Sequence, residues 1–348
     1  MKHRIRLARR LPALPALAAL ACIVPLAAGC SSASGGTGSG AQTSVALATR
    51  DFSNPYWAAL RDGAVAGGKK LGIHVDVEAG SNETDATGEN QVIMAQGSQN
   101  FGCYAAVPVN ATNVITPLLQ VQAKGKPIIN VDTQIDPTAA REAGLKITSF
   151  IGSDNTQAGT IAGNEMLQLL HGHGKVAILE GIPGEKNGIA RVNAFRGVTA
   201  GKLQVVQAQT ADYEESEGLT VTQDILKVHP DITGIFAADD EMALGAAQAI
   251  SDAGLTGKIK IVSIDGITQA LQEVAAGKLT ATISQYPYVE GEMVDEACTA
   301  LADHKQIPQR VVSPIHLITQ STAKQAIAAF PRPFFSFHDP LASLAGGQ

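Results

Sequence analysis

The sequence is short of cysteine, of clustered positive charge outside its first residues, and of long unbroken apolar runs. Each shortage narrows what the chain can be. Four cysteines occur in 348 residues. Cys22 and Cys30 lie near the start, which leaves Cys103 and Cys298 in the body of the chain. Outside the cytoplasm that pair can oxidise, and buried thiols can equally serve as small core residues; the wide spacing does not choose between them. Removing the five positive charges of residues 1–29 from a formal net charge of −6 leaves −11 on the remainder. An acidic body argues against nucleic acid as a partner, because displacing counterions requires a cationic surface. The apolar stretch 11–28 is interrupted by Pro12, Pro15 and Pro25, so it makes a poor spanning helix.

Catalytic signatures are equally scarce. No Gly-x-Ser-x-Gly elbow is present. The run Gly63 to Lys69 imitates part of a phosphate loop but lies in a helical pattern and is followed by Lys70 rather than Ser or Thr. Gly36, Gly38 and Gly40 sit in a tether with neither strand before nor helix after. His171 and His173 flank Gly172 without a third ligand, so no metal site is expected. No nucleophile can be paired with a base, so neither an enzyme nor a cofactor is expected.

What the chain does contain begins with its ends. Lys2, Arg4, Arg6, Arg9 and Arg10, an apolar segment and small residues before Cys30 form an export signal. Leu26-Ala27-Ala28-Gly29-Cys30 resembles the lipobox of bacterial lipoproteins, which implies a lipid on Cys30 and attachment to a membrane from outside the cytoplasm. An ordinary signal peptide cleaved nearby is the alternative. Residues 30–43 are Gly/Ser-rich and read as a flexible tether.

Strand-like runs then alternate with helical patterns. Expected strands are 45–49, 73–77, 104–108, 127–131 and 147–151, followed by 175–179, 203–207, 233–237, 258–264 and 280–284. Between the first two, 55–71 places Leu60, Ala64, Gly67 and Leu71 on one helix face, with Asn54 as cap and Pro55 in the first turn. A second helix is expected over 240–252. This alternation predicts an α/β fold of two doubly wound parallel-sheet lobes.

In such sheets ligands bind beyond the carboxyl ends of the strands. Residues there are Arg50, Asn54, Tyr56 and Trp57 after the first strand and Asp132 after the fourth. The second half contributes Arg191, Tyr213, Asp239, Asp265 and Gln285. Carboxylates, amides and guanidinium groups pair with neighbouring hydroxyls, and aromatic rings stack on the C–H face of a sugar. Asp51 and Asp240 read instead as helix caps or surface groups.

At these positions the chain resembles the ribose-binding-protein family of periplasmic sugar-binding proteins. The likeness runs over 45–319 and is carried by Ser53-Asn54-Pro55-Tyr56-Trp57, Gly152-Ser153-Asp154-Asn155, Asp239 to Ala246, Ile264-Asp265-Gly266 and Ala281 to Gln285. It implies a type I periplasmic binding protein whose lobes are joined by three hinge crossings, near Phe150, Gln285 and Ser313. The first lobe would comprise 44–149 with 286–313, the second 150–285 with 314–330, and 331–348 a tail beyond the likeness. Both body cysteines then fall in the first lobe, which brings a disulfide within geometric reach. Asn54, Tyr56, Trp57, Asp132, Arg191, Tyr213, Asp265 and Gln285 match contact positions of sugar-binding members. Thr133, Pro108 and Asp239 depart from the ribose binders, which carry arginine, asparagine and asparagine there, and Arg50 adds a cation. A different monosaccharide, a polyol or an amino sugar is therefore expected, delivered by a monomer to the permease of an ABC importer. A ligand sensor for a membrane receptor or kinase uses the same fold, and the sequence leaves transport and sensing open.

Overall fold

The computed structural model of the chain describes residues 43–346; the expected export signal, the lipidation site Cys30 and all but the last residue of the expected tether lie outside the described residues. The first run of elements is β1 (Ser44–Thr49), α1 (Pro55–Leu71), β2 (His74–Ala79), α2 (Ala86–Ser98), β3 (Cys103–Ala106), α3 (Ile115–Gln122), β4 (Ile128–Val131), α4 (Pro137–Ala143) and β5 (Ser149–Gly152). The second is α5 (Asn155–Leu169), β6 (Gly174–Glu180), α6 (Lys186–Thr199), β7 (Leu203–Thr210), α7 (Glu215–Val228), β8 (Gly234–Ala237), α8 (Asp240–Asp252), β9 (Lys260–Asp265), α9 (Thr268–Ala276) and β10 (Ala281–Gln285). Last come α10 (Pro287–Ala302), β11 (Arg310–Val312), β12 (Ile315–Thr319) and α11 (Gln320–Ala329).

These strands form two six-stranded sheets, ordered β11-β5-β4-β3-β1-β2 and β12-β10-β9-β8-β6-β7. Every pairing is parallel except β10 with β12. The chain leaves the first sheet after β5, returns to it after β10 and leaves again between β11 and β12. The first of these passages comes after Gly152, so the expected boundary at 149/150 falls inside a strand of the first sheet.

Helices cover both faces, and the side-chain alternation of β1 shows why. Val45 and Leu47 join the core that holds Leu60 and Ala64 of α1 with Val294 and Ala297 of α10. Ala46 and Ala48 join a second core with Ile93 of α2 and Leu118 of α3. A strand buried on both faces needs apolar residues throughout, which is the unbroken run the sequence displays. The helix α1 starts where Asn54 accepts from the Tyr56 N–H and Pro55 takes the first turn, and it ends at Gly72 with φ 69°. It packs on α10 almost backbone to backbone. A Cβ on Gly63 would lie 1.9 Å from Tyr288 O, and one on Gly291 would lie 2.3 Å from Leu60 O.

Cys103 on β3 and Cys298 on α10 are joined in a disulfide with Cα atoms 5.8 Å apart. The described part of the tail packs beside the hinge. Phe335 meets the Tyr286 ring at 5.7 Å and the His316 ring at 4.8 Å. Arg332 forks onto Glu292 of α10, and Leu341 is fully buried.

Candidate functional site

The carboxyl ends of the two sheets face each other across a polar cavity. Nine of the ten residues expected at a ligand site line it; Gln285 stands one layer behind. Three further lining residues, Glu83, Glu185 and Asn187, were not expected.

From the first sheet, Arg50 extends out of β1 and is almost fully buried. Its guanidinium donates to Thr133 Oγ1 at 2.6 Å and Pro108 O at 3.1 Å, and it pairs with Glu83 and Glu185 at 3.5 Å each. Burial works against its charge, but Glu185 and then Glu83 outweigh that and raise its pKa further. Glu83 also accepts from Asn54 Nδ2 at 2.8 Å and Trp57 Nε1 at 2.6 Å. Tyr56 donates its hydroxyl to Asp132 Oδ2 at 2.6 Å, and burial followed by Asp132 raises the phenol's pKa well above normal. Tyr56 and Trp57 are thus held by their polar edges, and the Arg50 guanidinium lies over the Trp57 ring at 5.1 Å.

From the second sheet, Glu185 caps α6 by accepting the N–H groups of Asn187 at 2.9 Å and Gly188 at 2.7 Å. It also takes the Tyr213 hydroxyl at 2.6 Å. Burial favours its neutral form, yet Arg50 and these donors together lower its pKa. Arg191 donates to Asn155 Oδ1, Ala238 O and Gln285 Oε1, each at 2.7 Å, and pairs with Asp265 at 3.4 Å. Asp239 accepts the Met242 N–H at the start of α8.

Asp240 corrects the expectation of a cap or surface group. It is fully buried and accepts from Ser263, Thr282 Oγ1 at 2.7 Å, Gly266 N at 2.6 Å and Ile267 N at 3.0 Å. Asp240 thereby fixes the turn that presents Asp265, while its neighbour Asp239 is the cap. Asp51 is buried as well, accepting from Ser53 in a tight turn.

Three cavity residues hold positive φ without being glycine: Asp132 at 53°, Tyr213 at 65° and Asp265 at 132°. Such conformations cost about 1–3 kcal/mol each and persist only where the surroundings impose them.

The cleft edges touch. Asn187 Nδ2 donates to Asp132 Oδ1 at 2.8 Å, and Lys186 Nζ reaches Asp136 Oδ2 at 2.9 Å. At the hinge, Glu290 follows the second passage of the chain and accepts from Ser153 of the first and Ser313 of the third. Burial, then the charge of Asp132, holds its carboxyl well above the ordinary range, and its second oxygen has no hydrogen-bond partner among the described residues.

Two doubly wound lobes, three passages between them and a polar cavity at their facing strand ends define a cleft-type solute-binding protein. A family model described as "Periplasmic binding protein domain" matches residues 45–306. The chain is 34% identical over 247 residues to the D-allose-binding periplasmic protein of Escherichia coli (strain K12), covering 70% of this chain and 79% of that one. It is 31% identical over 285 residues to the ribose import binding protein of Bacillus subtilis (strain 168), covering 82% and 90% respectively. The crystal structure of an ABC transporter periplasmic solute binding protein from Actinobacillus succinogenes 130z with bound D-allose matches with a TM-score of 0.78 at 30% identity, over 81% of this chain and 99% of that one. The chain belongs to the periplasmic binding protein family, among its ribose-binding-protein-like members. These are extracytoplasmic substrate-binding components of transporters, not enzymes.

Proposed function

We propose that this chain is a lipid-anchored solute-binding protein that captures a monosaccharide or related polyol outside the cytoplasm and delivers it to an ABC importer. The observation that carries this reading is the cavity itself, where Asn54, Trp57 and Asp132 from one sheet face Arg191, Tyr213 and Asp265 from the other. Planar donors and acceptors pair with vicinal hydroxyls. The relatives named for D-allose and ribose support a sugar as the ligand.

Ligand bridging both lobes favours the closed form, and the permease reads the joined outer faces. A monomer suffices for this cycle. Cys30 supplies the membrane anchor, and residues 31–43 let the body reach its permease. A Cys103–Cys298 disulfide suits that oxidising setting.

A thermal-shift screen against monosaccharides and polyols tests the reading, because a tight ligand raises the melting point by mass action. At a hundredfold excess over Kd the stabilisation is about 2.7 kcal/mol, a shift of several degrees. No shift with any sugar or polyol would contradict the proposal. Loss of growth on the captured sugar after gene deletion would distinguish import from sensing.

A further inference from the structure

The cavity contains more carboxylates than cations, and the excess is concentrated at one residue. Glu83 and Glu185 share Arg50, and Asp265 pairs with Arg191. Asp132 has no ion pair but accepts from Tyr56, Asn187 and Thr133. Asp239 has no ion pair and a single hydrogen bond among the described residues. It is 2% exposed and lines the cavity. One oxygen accepts the Met242 N–H at 2.9 Å; the other accepts nothing among the described residues. Burial, with the acidic neighbours Glu241, Asp240 and Glu83, holds its carboxyl well above the ordinary range.

A second observation points the same way. A wider vestibule shares Asn54, Glu83 and Tyr213 with the cavity. It adds Asp51, Glu214, Glu215 and Glu241, and neither Lys nor Arg lines it. Such a mouth concentrates cations and repels anions.

We infer that the chain selects an amino sugar, with the ligand's ammonium group seated against Asp239. The inference rests on the sugar-binding reading above and narrows its ligand class. Beside a neutral ligand the buried Asp239 carboxyl keeps its proton, and a ligand hydroxyl gains only a neutral hydrogen bond. An ammonium supplies donor and charge together, and charge-assisted hydrogen bonds are about twice as strong as neutral ones. The remaining groups, Arg191, Asp265 and Asp132, would still hold hydroxyls.

Isothermal titration calorimetry tests this on the intact protein, using 2-, 3- and 6-amino-deoxyhexoses, each beside its hydroxyl parent. The expected result is at least one amine that binds tenfold or more tightly than its parent, with Asp239→Asn reducing that ratio to near one. If Asp239→Asn does not fold, the N-acetyl derivative of the preferred amine serves instead, and tenfold weaker binding of the uncharged amide is expected. Parents binding as tightly as every amine would overturn the inference and leave the sugar-binding reading standing. Binding of neither set would overturn both.

Discussion

The Arg50 guanidinium of the first lobe lies 3.5 Å from Glu185 Oε1 of the second, and both side chains are almost wholly withdrawn from water. This ion pair spans the cleft. It is supported on one side by Glu83 and on the other by the Tyr213 hydroxyl and two backbone N–H groups. Removing one partner of such a pair leaves an uncompensated charge in a desolvated site, typically a loss of about 3–5 kcal/mol. Glu185→Ala should therefore lower stability in urea by about 3 kcal/mol, and Glu185→Gln, which keeps the cap acceptor, by less. Equal losses for the two variants would show that the charge is unimportant.

The α1–α10 contact predicts a pH dependence. Asp295 is fully buried there, and burial, against the Gly68 N–H and reinforced by Glu296, pushes its carboxyl up to about 8. In the unfolded chain it titrates near 4. The folded state thus holds a proton that the unfolded state releases. Its contribution is full below about pH 4 and is lost as pH rises through about 8. Stability should fall between pH 5 and 8 by up to about 1.4 kcal/mol per pH unit from this group. Asp295→Asn should flatten that slope in urea titrations; an unchanged slope would place the dependence elsewhere.

The disulfide closes a loop across 195 residues of sequence, tying β3 to the helix that returns from the second lobe. Constraining the unfolded chain over so long a loop stabilises the fold by about 2–4 kcal/mol. Cys103→Ala with Cys298→Ala should lower the melting point by several degrees. A melting point unmoved by either the double substitution or reductant would show that the bridge adds nothing.

Much of this architecture is legible in the sequence because parallel strands buried on both faces read as continuous apolar runs. The helices over 55–71 and 240–252 coincide with α1 and α8. Strands β11 and β12 escaped that reading. The first has three residues, two of them exposed, and the second is mostly half-buried, so neither carries an apolar run. Among site residues, those just beyond strand ends were found from sheet geometry, and Tyr56, Trp57 and Arg191, which stand on α1 and α6, were reached with the help of the family resemblance. Glu83 was missed because it lies four residues past β2, in a polar loop that resembles an ordinary turn. Glu185 was missed for a different reason. It caps α6, a place where Ser, Thr, Asp and Asn are the usual signals. The exchange of roles between Asp239 and Asp240 is invisible in sequence, because adjacent carboxylates at a helix start differ only in which way each points.

The most direct test of a two-lobed clamp is calorimetric titration of the tightest sugar into wild type, Asp132→Ala and Arg191→Ala, each verified as folded by its melting transition. The two residues approach the cavity from opposite lobes. Loss of a buried charged hydrogen-bonding group costs about 2 kcal/mol or more, so each variant should bind at least thirtyfold more weakly. If both variants bound within threefold of wild type, the ligand would not lie between the lobes.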